Sequence, residues 1–240
     1  MKRSARTSTE RVHLSLMLVL TFSTGVVDAV GYLGLDRVFT GNMTGNVVLL
    51  GMAIAGADDL PVVRPALALV FFMLGAALAG RLLRGRPSAW GGRTSLTLFA
   101  VTAILAGLAV FVGVVDVQGD DVLAGITTSL LAVAMGIQAA TARALKVADV
   151  TTVVVTSTIT ALAADSRFAG GKSAHWPRRL LAIGLILLGA GAGALALRFD
   201  LWLGIAVSAA LTLLVAMWGH LRYRRDRRAQ PVDAPDAQWL

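Results

Sequence analysis

The sequence predicts an all-α membrane protein of six transmembrane helices plus two re-entrant or broken segments, arranged as an inverted 3+3 repeat. Three observations lead there. The 240 residues are 56% hydrophobic and only 15% charged, with a mean hydropathy of +0.74, outside the range of soluble domains. Several windows free of charge approach the roughly 20 apolar residues that a helix needs to cross about 30 Å of hydrocarbon. Lysine and arginine gather in a few short clusters, so the sidedness of each loop can be read.

The spanning windows, in order, are His13 to Leu33, Ala66 to Gly80, Leu96 to Val115, Val122 to Ala142, Leu180 to Leu197 and Leu201 to Trp218. The first is expected to be a retained helix and not a signal peptide, because no small-residue cleavage site follows it and Asp28 interrupts its end. Two weaker stretches, Phe39 to Gly56 and Val150 to Ala164, are apolar on average but rich in Thr, Asn, Ser and Gly.

The positive-inside rule decides how the weak stretches are threaded. If all eight hydrophobic stretches crossed, Arg37, Arg81, Arg84, Arg86, Arg93, Arg143, Lys146 and Arg198 would all face outward. If the two weak stretches dip in and return on the side they entered, every basic cluster becomes cytoplasmic and only Arg37, Arg64 and Arg198 stay outside. Asp36, Asp58, Asp59, Asp116, Asp120, Asp121 and Asp200 then collect outside. The expectation is six crossings with both termini cytoplasmic. The chain divides into a basic N-terminus (1–12), two repeat halves (13–115 and 116–221) and a basic, partly disordered tail (222–240).

Faint internal matches at a nearly constant offset support the repeat. Gly25-Val26 answers to Gly136-Ile137, Thr44 to Asn46 to Thr156 to Thr158, Leu74 to Ala76 to Leu188 to Ala190, and Ala100 to Ala103 to Ala206 to Ala209. The order is kept throughout. Three crossings per half put the second half upside down relative to the first. In transporters built this way, paired short and Gly-interrupted segments mark the binding site.

The polar run in "VFTGNMTGNVVLLG" (38–51) is the first of that pair. Non-helical backbone at membrane depth is tolerated where it is buried in protein or lines a wet cavity. Thr40, Asn42, Thr44 and Asn46 would offer hydroxyls and amides to a solute; the partner stretch offers Thr152, Thr156 and Thr158. Asp28 is an ionisable group within a helix, costly enough there to suggest a function, and its repeat-related neighbourhood holds Gln138. Plainer readings stand beside these. Small and hydroxylated residues also let membrane helices pack closely, and Asp28 can cap the adjacent broken segment or pair with Arg37 or Arg143.

At these residues "GVVDAVGYL", "FTGNMTGNVVLLG" and "MGIQAATARAL…DVTTVVVTSTITALAAD", the chain resembles the YoaK-type family of bacterial integral membrane proteins, from about Val12 to Trp218. The resemblance implies a bacterial cytoplasmic-membrane protein of unknown function and names no substrate. Ser157 stands where a Thr-Gly pair would place glycine.

No enzyme is expected. His13, His175 and His220 sit at membrane edges, no metal-ligand spacing, phosphate-binding glycine motif or nucleophile elbow occurs, and there is no cysteine. No cofactor is implied. The net charge of +8 is spread over cytoplasmic loops and tails, so anionic lipid head groups are the expected partners and nucleic acid is not; self-association as a homo-oligomer stays open. Two functions remain, a small-solute transporter or channel with its polar site between the broken segments, and a non-transporting membrane scaffold or accessory subunit.

Overall fold

The computed structural model describes residues 2–57, 60–85, 89–145, 155–171 and 175–228, with side chains from Val12 onward. Eight α-helices and no strand occur among them: α1 Lys2–Gly34, α2 Met43–Ile54, α3 Val63–Leu83, α4 Gly92–Val114, α5 Asp121–Ala144, α6 Val155–Ala164, α7 Trp176–Ala196 and α8 Leu201–Arg228. A single 3-10 turn, Arg167–Ala169, follows α6.

Six of these helices are long and apolar enough to cross a membrane, and they are the six expected ones. The other two are not. At 1.5 Å per residue, the 12 residues of α2 reach about 18 Å and the 10 described residues of α6 about 15 Å, well short of the hydrocarbon thickness. Both basic ends extend their helices further than the sequence suggests: α1 begins at Lys2 and α8 runs through Arg228. The remainder of the tail, 229–240, lies outside the described residues.

The layout is set by helix pairs. α1 lies along α7, α5 along α3 and α4 along α8, while α1 also touches α8 and α5 touches α4. Exchanging α1–α4 with α5–α8 maps each of these pairings onto another or onto itself. Enclosure follows the same exchange, with α1 and α5 the most buried helices and α3 and α7 the least. The two longest pairings rest on four glycines. A Cβ on Gly25 of α1 would strike the Ile186 carbonyl of α7, and one on Gly189 of α7 would strike the Phe22 carbonyl. In the other half, Gly136 of α5 faces the Phe72 carbonyl of α3 and Gly75 of α3 faces the Val133 carbonyl. Lipid offers no hydrophobic drive for helices to associate, so backbone contact of this closeness supplies the packing.

Inside, one apolar cluster gathers Val27, Val30, Leu105, Leu131 and Ile205. A second, around Met17, Leu20, Trp90, Leu98 and Val215, fills the end where the basic helix ends lie. Buried hydroxyls mostly bond within their own helix: Thr21 to the Met17 carbonyl, Thr102 to Leu98, Thr141 to Ile137 and Thr212 to Ser208. These four threonines therefore enter the core with their donors already satisfied. Large apolar side chains such as Leu78, Val110, Leu187 and Leu214 point outward, as lipid-facing surfaces require.

Candidate functional site

The site is built where α1 ends. Asp36 and Arg37 take left-handed backbone angles, φ 62° and 56°, an uncommon conformation for residues with a side chain, and they turn the chain back along the helix it has just left. Phe39 stacks on Tyr32, ring centroids 4.8 Å apart. Gly31 leaves room for the returning Val38 carbonyl, which an added Cβ would meet at 2.6 Å. The return reaches Asp28, six residues before the end of α1 and hence about 9 Å back along it. There Asp28 Oδ1 accepts the backbone N–H groups of Thr40 (3.1 Å), Gly41 (2.7 Å) and Asn42 (3.3 Å). Among the described residues Oδ2 takes no hydrogen bond.

From that depth α2 starts. Asn42 is its N-cap, Oδ1 accepting the Gly45 N–H at 3.3 Å. Asn46, one turn on, serves the return strand: Oδ1 accepts the Phe39 N–H at 2.9 Å and Nδ2 donates to the Phe39 carbonyl at 2.6 Å. Gly45 is required beside it, since a Cβ there would meet the Phe39 ring at 2.6 Å. The polar run thus supplies, from its own side chains and from Asp28, the partners that its non-helical backbone lacks.

A cavity of about 720 Å³ opens over this assembly. Its polar wall comes from Thr24, Asp28 and Tyr32 of α1, Asn42 and Thr44 at the start of α2, and Thr156 at the start of α6; Val48, Met52 and Ile186 give an apolar side. The N-terminal turns of the two short helices therefore meet at one space. Asp28 is the one carboxylate in that wall among the described residues.

The structure divides the residues singled out from the sequence. Asp28, Asn42, Thr44 and Thr156 line the cavity. Four do not. Thr40 is fully buried and bonds to the Val27 carbonyl at 3.5 Å. Asn46 is 1% exposed because both ends of its amide are used on Phe39. Thr158 is buried away from the wall. Gln138, also buried, donates through Nε2 to Thr24 Oγ1 at 3.2 Å. Its displacement has a simple origin: with Gly25 and Gly136 in register, Asp28 corresponds to Ala139, so Gln138 sits one residue off. Thr152 lies outside the described residues. The partners of Asp28 are backbone donors and not Arg37 or Arg143. Sequence reasoning missed Thr24 and Tyr32, which lie four residues either side of Asp28 and so share its helix face, a spacing that was there to be read.

Six spanning-length helices and a pair of short ones beside a polar cavity define an all-helical, multi-pass membrane protein. Residues 16–218 match the family model described as protein of unknown function (DUF1275), and the chain belongs to that family. It is similar to the UPF0700 transmembrane protein YoaK of Bacillus subtilis (strain 168), 34% identical over 157 residues, which are 63% of this chain and 66% of that relative. The family expected from the sequence is therefore the one found. No solved structure gives a significant match.

Proposed function

We propose that this protein is a small-solute transporter or channel of the bacterial cytoplasmic membrane, with both termini cytoplasmic and its halves related as an inverted 3+3 repeat. The observation that carries the reading is the cavity at which the two short helices begin, with Asp28 in its wall. Pairs of discontinuous segments at the interface of two repeats are where transporters of this architecture bind solute. The wall suits a small polar or cationic solute, held by Oδ2 of Asp28 and the side chains of Asn42, Thr44 and Thr156.

A second reading, a non-transporting scaffold or accessory subunit, draws on the bonds of Asp28 Oδ1 and Asn46 to backbone, which serve folding whether or not a solute binds. The two readings part in one experiment. Purified protein is screened by thermal shift against metabolites, and any stabilising solute is repeated on Thr44→Val and Thr156→Val. A solute site predicts stabilisation lost in both variants, with unliganded melting close to wild type. Stabilisation by no solute, or by one that both variants still bind, favours the scaffold.

Orientation is tested separately by single cysteines, with none native to interfere. Gln118→Cys should react with an impermeant thiol reagent on intact cells, and Phe168→Cys only after lysis. The reverse pattern overturns the proposed sidedness.

A further inference from the structure

We infer, taking the cavity over Asp28 as the solvated site of a transporter, that a file of buried hydroxyls and one amide carries protons between it and the basic end of the bundle. Cavity and file together then form a proton path across the membrane through Asp28. The file crosses three helices. Thr24 Oγ1 of α1, in the cavity wall one turn from Asp28, accepts the Gln138 amide of α5 at 3.2 Å. Three residues on along α5, Thr141 Oγ1 lies 3.0 Å from Thr97 Oγ1 of α4. Thr97 in turn donates to the Thr94 carbonyl at 2.9 Å, and Thr94 Oγ1 accepts the Gly91 N–H at 3.3 Å, beside the exposed Gly92 and Arg93. All five side chains of the file are buried.

Each step moves the same way. The file runs toward the start of α1, the end of α5 and the start of α4, which gather with the end of α8 around one apolar cluster. Four residues along α1 and three each along α5 and α4 cover about 15 Å, half of the roughly 30 Å of hydrocarbon. The cavity extends the opposite way, with Tyr32 one turn beyond Asp28 and Val48 and Met52 farther along α2.

Two features suit a proton. Gln138 Oε1 takes no hydrogen bond among the described residues, and a buried acceptor of that kind is where a protein holds ordered water; such a water joins Gln138 to Thr141, its neighbour on the same helix face. The Thr141 and Thr97 hydroxyls touch directly, so a solute cannot pass between them and a proton can. Each hydroxyl or water oxygen accepts one proton and releases another. Asp28 takes a proton on Oδ2 from cavity water, gives it up toward Thr24 and returns to the carboxylate. Tyr32 is the other titratable side chain in the cavity wall, and α2, α6 and α7 contribute none among the described residues. An intramembrane carboxylate at the end of a polar chain is the arrangement that proton relays use.

The test uses the full chain reconstituted in phosphatidylcholine vesicles that enclose the pH dye pyranine, with valinomycin and a potassium gradient setting a potential negative inside. No solute is added, so the result does not depend on the metabolite screen. Wild type should acidify the lumen faster than protein-free vesicles. Asp28→Asn, Gln138→Leu and Thr97→Val, each close in volume to the residue replaced, should lose that excess. Thr212→Val, which removes a buried hydroxyl of α8 bonded within its own helix, should keep it. The three losses fall on three helices, and each variant is checked as monodisperse, so one folding defect does not decide the matter. Wild-type flux no greater than that of empty vesicles would overturn the file and leave the solute site to its own test. Flux that survives both Gln138→Leu and Thr97→Val, or equal loss in Thr212→Val, would overturn it too.

Discussion

The packing of the two halves is duplicated and their chemistry is not. Gly25 with Gly189, and Gly136 with Gly75, bring α1 onto α7 and α5 onto α3 by the same backbone approach. At the corresponding centre, α1 carries a carboxylate that faces a cavity and gathers three backbone N–H groups, whereas α5 carries Ala139 in register and Gln138 turned toward Thr24. The matched packing therefore does not extend to this position, where the segment returning along α1 is pinned to Asp28.

If packing is duplicated, breaking it in either half should cost the same. Gly25→Leu and Gly136→Leu each force side chain into opposing backbone, and both should destabilise by about 3 kcal/mol or more. The check is the fraction of monodisperse protein surviving a heat step; a large loss in one half only would break the equivalence.

The polar difference should appear next. Asp28→Ala strands three N–H groups and should cost on the order of 3 kcal/mol, against roughly 0.6 to 2 kcal/mol for Gln138→Ala. Asp28→Asn keeps an acceptor and removes the charge, so it should fold while abolishing any movement coupled to that charge. Asn46→Ala removes two bonds to Phe39 and should cost about 2 kcal/mol, more than Asn42→Ala, which loses one cap worth about 1 kcal/mol. Equal costs for the two asparagines would mean that their division into strut and cavity wall is wrong.

The smallest effect is expected at the ends. Arg64 of α3 pairs with Asp121 of α5 at 2.6 Å and with Asp36 of the α1 turn at 3.8 Å, but both acids are exposed. Arg64→Gln should shift stability by no more than about 1 kcal/mol and less in high salt.

What the sequence made legible divides along the same line. The six spans follow from composition and length, which the bilayer fixes, and the short reach of α2 agrees with the threading that the sidedness of Lys and Arg required. The use of each polar group was not readable. Whether an amide in "TGNMTGN" faces a cavity or a carbonyl depends on the path of the chain before it, and the reversal at Asp36 and Arg37 that brings Phe39 to Asn46 has no local signature in residues with side chains. Gln138 was misplaced for a different reason: the internal offset drifts over several residues between matches, and one residue on a helix turns a side chain by about 100°.

The claim on which the rest depends is that the two short helices begin at one solvated cavity. Thr44→Cys and Thr156→Cys place thiols on opposite contributions to its wall, and Leu131→Cys, in the core, is the control. Both cavity thiols should react with a small hydrophilic methanethiosulfonate while the control stays silent, and the double variant should be joined within one chain by a short bifunctional thiol reagent. Silence at Thr156→Cys, or a double variant that labels at both positions yet never cross-links, would contradict the shared cavity.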